Sequence, residues 1–299
     1  MALPPPPPPT GHTTGGPVGT LPHCYRHPNR EAGRSCTRCG KSACAECLVQ
    51  AAVGSHCIDC AKAARPDVKT RARYWNAGQP ALVTRAIIAI NLAVFLYVTI
   101  KDPSSLGGRS GLTQEQFNLG LNSYFLRDGR NEWYRLITSG FLHFGIIHIA
   151  FNMYMLYQLG NLLERPLGRS RFALLYMASL LGGSLGVIIE NSPSIAGGAS
   201  GAVFGLLAAA AVSLHRQGIN IFKTALGTTL LLNLFITFAI PGISKGGHVG
   251  GALAGALCGY IMLAPRWKAF PKWVSYATPV VVSVLCVIGS YVMAARGGV

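Results

Sequence analysis

A chain of 299 residues that is 50% hydrophobic and only 12% charged, with positive mean hydropathy, is too apolar for an ordinary water-soluble domain. Its formal charge of +16 would suit a nucleic-acid binder, but the basic residues are dispersed among segment junctions, so no nucleic-acid partner is expected. The expected surroundings are a lipid bilayer.

The chain opens with a segment, 1–22, dominated by a proline run and by Gly and Thr. Such a stretch buries no apolar surface and is expected to be a disordered or polyproline-II tail. Residues 1–80 hold no apolar core segment, so no cleaved leader is expected.

A different object follows at 23–61, where ligand-type residues come in four pairs: Cys24 and His27, Cys36 and Cys39, Cys44 and Cys47, Cys57 and Cys60. Each two-residue gap points two ligand atoms at one tetrahedral ion, a strong zinc signal. Disulfides are the alternative, and a cytoplasmic location argues against them. The pattern resembles the B-box type of zinc finger, whose ligand pairs interleave. That resemblance implies one zinc on Cys24, His27, Cys44 and Cys47 and a second on Cys36, Cys39, Cys57 and Cys60. His56 is the one substitute ligand, and is better read as a mere neighbour of Cys57. Four protein ligands leave no open position on either ion, so both zincs are structural, and a unit of this size needs them as staples. Its default role is docking of a cytosolic protein partner.

A basic linker is read at 62–81, and then apolar runs long enough to cross a bilayer near 82–100, 146–163, 172–190, 200–214, 224–241, 248–264 and 275–295. Lys62, Arg65, Lys69, Arg71, Arg73 and Arg85 precede the first run or open it; Arg165, Arg169 and Arg171 follow the second, Arg216 and Lys223 the fourth, and Arg266, Lys268 and Lys272 the sixth. The positive-inside bias therefore predicts a cytoplasmic N-terminus and an extracytoplasmic C-terminus; the expected location is the plasma membrane, as a multi-pass protein. The loop 101–140 resists this, since it is assigned outside yet carries Lys101, Arg109, Arg127, Arg130 and Arg135. It is read as interfacial.

Polar residues within the runs are costly in lipid and so point to function. His148 and Asn152 share one helix face in the second run, with His143 at its mouth; Ser200 opens the fourth run and His248 the sixth. A membrane zinc protease would need His-Glu-x-x-His, which the sequence lacks, and paired intramembrane carboxylates that would mark a transporter are missing too. Nucleophilic catalysis needs a hydroxyl, an imidazole and donors for an oxyanion, and all three types are present. Gly198 and Gly201 flank Ser200, and the Ser200 N–H lies at a helix N-terminus, where negative charge is favoured. No Asp or Glu is available in the later runs to orient His248, so a dyad follows. Gly201 and Gly205 on one helix and Gly251 and Gly255 on the other are expected to let the two approach. Phe204, one turn after Ser200, is placed to stack on the imidazole. Asn233 is read as an interhelical hydrogen-bonding group, with a polar contact to substrate as the alternative. Cys258 and Cys286 are read as packed thiols.

These strings carry a resemblance: Trp133-Tyr134-Arg135, the His-Phe-Gly-Ile-Ile-His-Ile-Ala-Phe-Asn run at 143–152, Gly-Ala-Ser-Gly at 198–201 and His-Val-Gly-Gly-Ala-Leu-Ala-Gly at 248–255 together resemble the rhomboid intramembrane serine proteases. The resemblance covers about 82–265 and implies an all-α polytopic fold, a six-helix bundle, with residues 266–299 supplying an extra seventh span. It implies Ser200 as nucleophile, His248 as general base and acid, and His148, Asn152 and the Ser200 amide as the oxyanion hole. Arg135 would organise the first loop. It also implies cleavage of single-span membrane proteins near the outer face, access beside the fifth span and no catalytic cofactor. The alternative is a non-catalytic relative that binds transmembrane clients. Gly247 in place of an alanine, and Glu164-Arg165-Pro166 in place of Glu-x-Arg, depart from the family pattern and bear on packing.

Overall fold

The computed structural model describes residues 21–79, 81–107, 111–127 and 129–296. The tail expected at 1–22 lies almost wholly outside the described residues, as does Arg109. Two compact units divide the chain, Met1–Gly78 and Gln79–Val299.

In the first unit, β1 (Arg34–Ser35) pairs antiparallel with β2 (Ser42–Ala43), and β3 (Leu48–Gln50) with β4 (Ser55–Cys57). Helix α1 (Ile58–Ala63) follows directly, its first turn capped by the Cys57 sulfur, which accepts from the Cys60 amide. The stretch read as a linker contains a further helix, α2 (Val68–Ala77). Its N-terminal turn is satisfied by Asp67, whose carboxylate accepts from the Thr70 amide.

The second unit is helical. All seven apolar runs are helices: α3 (Leu82–Lys101), then, after the short α4 (Gln114–Leu119) and α5 (Arg135–Thr138), α6 (Ile146–Leu167), α7 (Arg169–Glu190), α8 (Ser200–Arg216), α9 (Ala225–Ala239), α10 (Lys245–Met262) and α11 (Lys272–Arg296). By length and composition α3, α7 and α11 can each cross a membrane, and α6 joins them when taken with Arg135–Phe141, to which it is bent by 95°. Helices α8 and α9 are shorter, at 17 and 15 residues. Helix α8, most of whose residues are buried, need not reach both faces of the lipid by itself, because protein surrounds it.

Helix α7 is central. Within its apolar window 67% is buried, against 22% for α3 and 28% for α11. The core around it joins Phe172, Leu175 and Tyr176 of α7 to Leu156 and Leu159 of α6 and to Leu206 and Leu207 of α8. The seventh helix belongs to this unit and turns Val282, Cys286, Ser290 and Ala294 inward.

Two carboxylates close helix ends across the bundle. Buried Glu164 of α6 accepts from the Val83 amide at 2.9 Å, the Thr84 amide at 2.8 Å and the Thr84 hydroxyl at 2.7 Å. These are first-turn groups of α3, whose own N-cap is Ala81 and offers no side chain to them. Glu190, ending α7, does the same for α10: it accepts from the Ser244 hydroxyl at 2.5 Å and the Gly246 amide at 3.0 Å. Both place negative charge at the positive end of a helix dipole.

The basic loop that resisted the charge rule is tied to itself. Arg127 donates to Ser123 and Asn191, and Arg130 donates to the Tyr124 hydroxyl while lying over its ring. Arg135 is 3% exposed. Three of its five cations are thus engaged in holding the loop.

Candidate active site

Glycines bring three helices into backbone contact at the level of Ser200 and His248. A methyl group at Gly251 would overlap the Gly201 carbonyl, and one at Gly255 the Gly205 backbone, so α8 and α10 touch along the face read from the sequence. The third partner, α7, escaped that reading. Gly183 lies against both Gly201 and Gly247, while Gly182 and Gly186 meet Gly250 and Gly246. Without side chains between them, the helices approach closely enough for dispersion and Cα–H contacts to hold them, as lipid supplies no hydrophobic drive.

Ser200 is the first residue of α8 and half-buried; His248 lies in the first turn of α10 and is buried. The Phe204 ring is stacked on the His248 imidazole, centroids 4.2 Å apart and planes 16° from parallel. On the ring's edge, His248 Nδ1 is 2.7 Å from the Thr237 hydroxyl of α9. Asn233, one turn earlier, donates to the Thr229 carbonyl of its own helix, so the interhelical bond expected of it is replaced by a local one. Within a helix the carbonyl four residues back is the acceptor nearest to a short polar side chain.

His148 faces Ser200 from α6. Its Nδ1 accepts from the Phe144 amide at 3.3 Å, which leaves the ring proton on Nε2. A Cβ on Gly198 would lie 2.9 Å from that Nε2 and 3.5 Å from the Ser200 hydroxyl, so imidazole and hydroxyl bracket a space only glycine leaves open. Gly198 also has φ +136°, which L side chains rarely adopt. Buried Asn152 spends one amide proton on the His148 carbonyl at 2.9 Å and retains the second. His143, just before the N-cap of α6 as expected, is fully buried and edge-on to His148 with centroids 5.0 Å apart, and among the described residues neither of its ring nitrogens has a partner.

Arg135 holds the turn before Ser200 at one remove. It donates to the Phe117 and Gly120 carbonyls and to Glu132, with its guanidinium 3.7 Å above the Phe125 ring. The next residue, Leu121, forms a two-way backbone bridge with Ala196, at 2.8 and 2.9 Å. The Gly198 amide donates to the Ser139 carbonyl at 2.8 Å. The segment leading into α8 is therefore pinned to the first loop rather than free.

In the separate N-terminal unit the eight ligand-type residues gather into two groups, Cys24, His27, Cys44 and Cys47, and Cys36, Cys39, Cys57 and Cys60, with ligand atoms within 4.8 Å of one another. His56 belongs to neither. The Cys39 and Cys57 sulfurs are 3.7 Å apart, and His27 Nδ1 is 3.4 and 3.5 Å from the Cys44 and Cys47 sulfurs. Tetrahedral zinc with bonds of about 2.3 Å to sulfur sets neighbouring sulfurs about 3.7 Å apart, whereas a disulfide requires about 2.05 Å. The donor set thus fits a metal. Backbone donation from Cys57, against burial, brings the Cys36 thiol down to about 6, while hydrogen bonds to Cys39 and Cys57 push Cys60 up to about 12. Thiols so crowded ionise together only when a cation neutralises them.

A bundle of apolar helices with a polar cluster at glycine-lined crossings defines a helical, multi-pass membrane protein. Residues 130–265 match the sequence profile of the Rhomboid domain. RHOMBOID-like protein 2 of Arabidopsis thaliana is 33% identical over 217 residues, which is 62% of this chain and 68% of that protein. Rhomboid protease GluP of Bacillus subtilis is 33% identical over 207 residues, 68% of this chain and 39% of that protein. RHOMBOID-like protein 1 of Arabidopsis thaliana is 36% identical over 184 residues, 60% of this chain and 46% of that protein. The chain belongs to the rhomboid family. It spans less than half the length of the last two relatives.

Proposed function

We propose that this chain is an intramembrane serine endopeptidase in which Ser200 and His248 form the catalytic dyad. The observation that carries the reading is the imidazole of His248 clamped flat on Phe204, on the face of α8 that begins at Ser200, where Gly201 and Gly251 allow the two helices to touch. A histidine held in this way at the end of a helix that opens with a serine is pre-organised for proton transfer.

Acyl transfer then proceeds in two steps. The Ser200 oxygen bonds to the scissile carbonyl carbon as its proton passes to His248 Nε2. The oxyanion accepts from His148 Nε2–H, the free amide proton of Asn152 and the Ser200 backbone N–H. The C–N bond breaks as His248 returns the proton to the leaving amine. Water, deprotonated by the same imidazole, releases the acyl group. As the likeness to rhomboid proteases implies, substrates are single-span membrane proteins cut near the extracytoplasmic side; they unwind near the cut, because a helical carbonyl is shielded by its own hydrogen bond. The orientation follows the charge distribution, with the N-terminus in the cytoplasm and the plasma membrane as the location. The N-terminal unit holds two structural zinc ions and docks a cytosolic partner; unchanged crosslinked partners and unchanged cleavage after deletion of 1–60 would overturn that part.

Purified protein in liposomes, offered a panel of tagged single-span reporters beside Ser200→Ala and His248→Ala, tests the dyad. Product from the unaltered chain alone is expected. Undiminished product from both variants would overturn the assignment.

A further inference from the structure

We infer that Thr237 is a positioning residue that fixes the tautomer of His248, the part a carboxylate plays in a three-membered catalytic set; this rests on the reading of Ser200 and His248 as the dyad. The Thr237 hydroxyl makes two contacts, each 2.7 Å: one to the Asn233 carbonyl oxygen, the other to His248 Nδ1. It has one proton to give. Were that proton directed at Nδ1, the hydroxyl and carbonyl oxygens would face each other at 2.7 Å with no hydrogen between them, which is repulsive. Directed at the carbonyl, it satisfies that oxygen and leaves a lone pair of the hydroxyl to accept from Nδ1–H. Only the second arrangement makes both contacts hydrogen bonds, and it is the usual back-bond of a helical threonine. The imidazole proton is therefore on Nδ1, and Nε2 carries the free lone pair that a general base needs.

The setting of Thr237 supports the assignment. Helix α9 buries only Gly227, Asn233 and Thr237, while Leu231, Leu232, Phe235 and Phe238 are exposed along it. The helix thus turns Asn233 and Thr237 inward, and Thr237, 1% exposed, meets the ring on its edge while Phe204 covers its face. Two constraints, one on orientation and one on tautomer, come from two different helices. When Nε2 takes the Ser200 proton, the imidazolium keeps its Nδ1–H bonded to an oxygen already polarised by donating to Asn233.

The test pairs kinetics with a direct view of the proton. In wild-type protein labelled with nitrogen-15 histidine, and with His248 assigned against His248→Gln, Nδ1 is expected to bear the proton and Nε2 to resonate as the unprotonated nitrogen. Thr237→Val keeps the shape and removes the acceptor. It is expected to shift the His248 proton toward Nε2 and to lower kcat about 10- to 100-fold with KM within about twofold, less than the loss seen when a carboxylate orienter is removed. Thr237→Ser should restore both readouts. A wild-type proton on Nε2, a kcat unchanged by Thr237→Val, or a kcat lost with Nδ1 still protonated would each overturn the inference. The nitrogen spectra stand independently of cleavage, so a failure of the dyad, seen as product from Ser200→Ala, is told apart from a failure of Thr237.

Discussion

Gly251 of α10 lies directly on the Gly201 carbonyl of α8, leaving no room for a single added carbon. Packed interiors transmit such an intrusion instead of absorbing it, so the separation of the two helices that carry His248 and Ser200 is set by the absence of two side chains.

Gly251→Val is accordingly expected to force the helices apart, destabilising the fold by about 1–3 kcal/mol and reducing reporter cleavage at least tenfold. Gly289→Ala of α11 is the comparison, because an added carbon there meets the flexible Leu185 side chain at 3.2 Å. Thermal unfolding in detergent should separate the two variants, with Gly289→Ala within about 0.5 kcal/mol of the parent.

Gly198→Ala strikes the site without touching the helix crossings. Its Cβ would sit 2.8 Å from the His148 ring, in a backbone conformation that alanine rarely adopts. Cleavage is expected to fall about 100-fold or more, the scale of losing one oxyanion donor. The unfolding temperature should change far less than in Gly251→Val. Equal loss of both properties would mean that Gly198 serves folding instead.

Glu164→Ala should be among the more damaging single changes far from the site. It strips the Val83 and Thr84 amides and the Thr84 hydroxyl of their acceptor inside a buried helix junction. Leaving such donors unpaired costs about 2–4 kcal/mol, and Glu164→Gln, which keeps one acceptor oxygen, should cost about half as much. Chemical unfolding of purified variants in mixed micelles checks the order.

Elemental analysis of the purified full chain is expected to return two zinc ions per molecule. Cys44→Ser and Cys57→Ser should each weaken one site, because the two belong to different ligand groups. Alkylation in chelator and denaturant without reductant should count nine thiols. A lower count would point to disulfides.

The helices were legible because a bilayer imposes a rule that sequence obeys locally: a crossing segment must be apolar and satisfy its own backbone. Hence each of the seven runs begins and ends within a few residues of a helix. The two ligand groups were legible for a similar reason, since paired spacing already brings two donors together and only the interleaving of pairs is left open. Ser200, His248 and their glycines stood out as strings of small and polar residues in greasy surroundings. Their roles remain proposals, and the geometry gathered around them is what gives those proposals their chemistry.

What the sequence by itself determined was the set of segments and the residue types available for chemistry. Tertiary structure decided which groups meet. Thr237 reaches His248, Glu164 reaches the start of α3, Glu190 reaches the start of α10, and a glycine stripe on α7 completes a three-helix contact. None of these is visible along the chain, because a threonine or glutamate within a helix has the same local pattern whether its side chain bonds to its own backbone or to a helix many residues away. The distinction is made only when packing has fixed which faces touch, and at this site glycine, by withholding a side chain, sets how near those faces come.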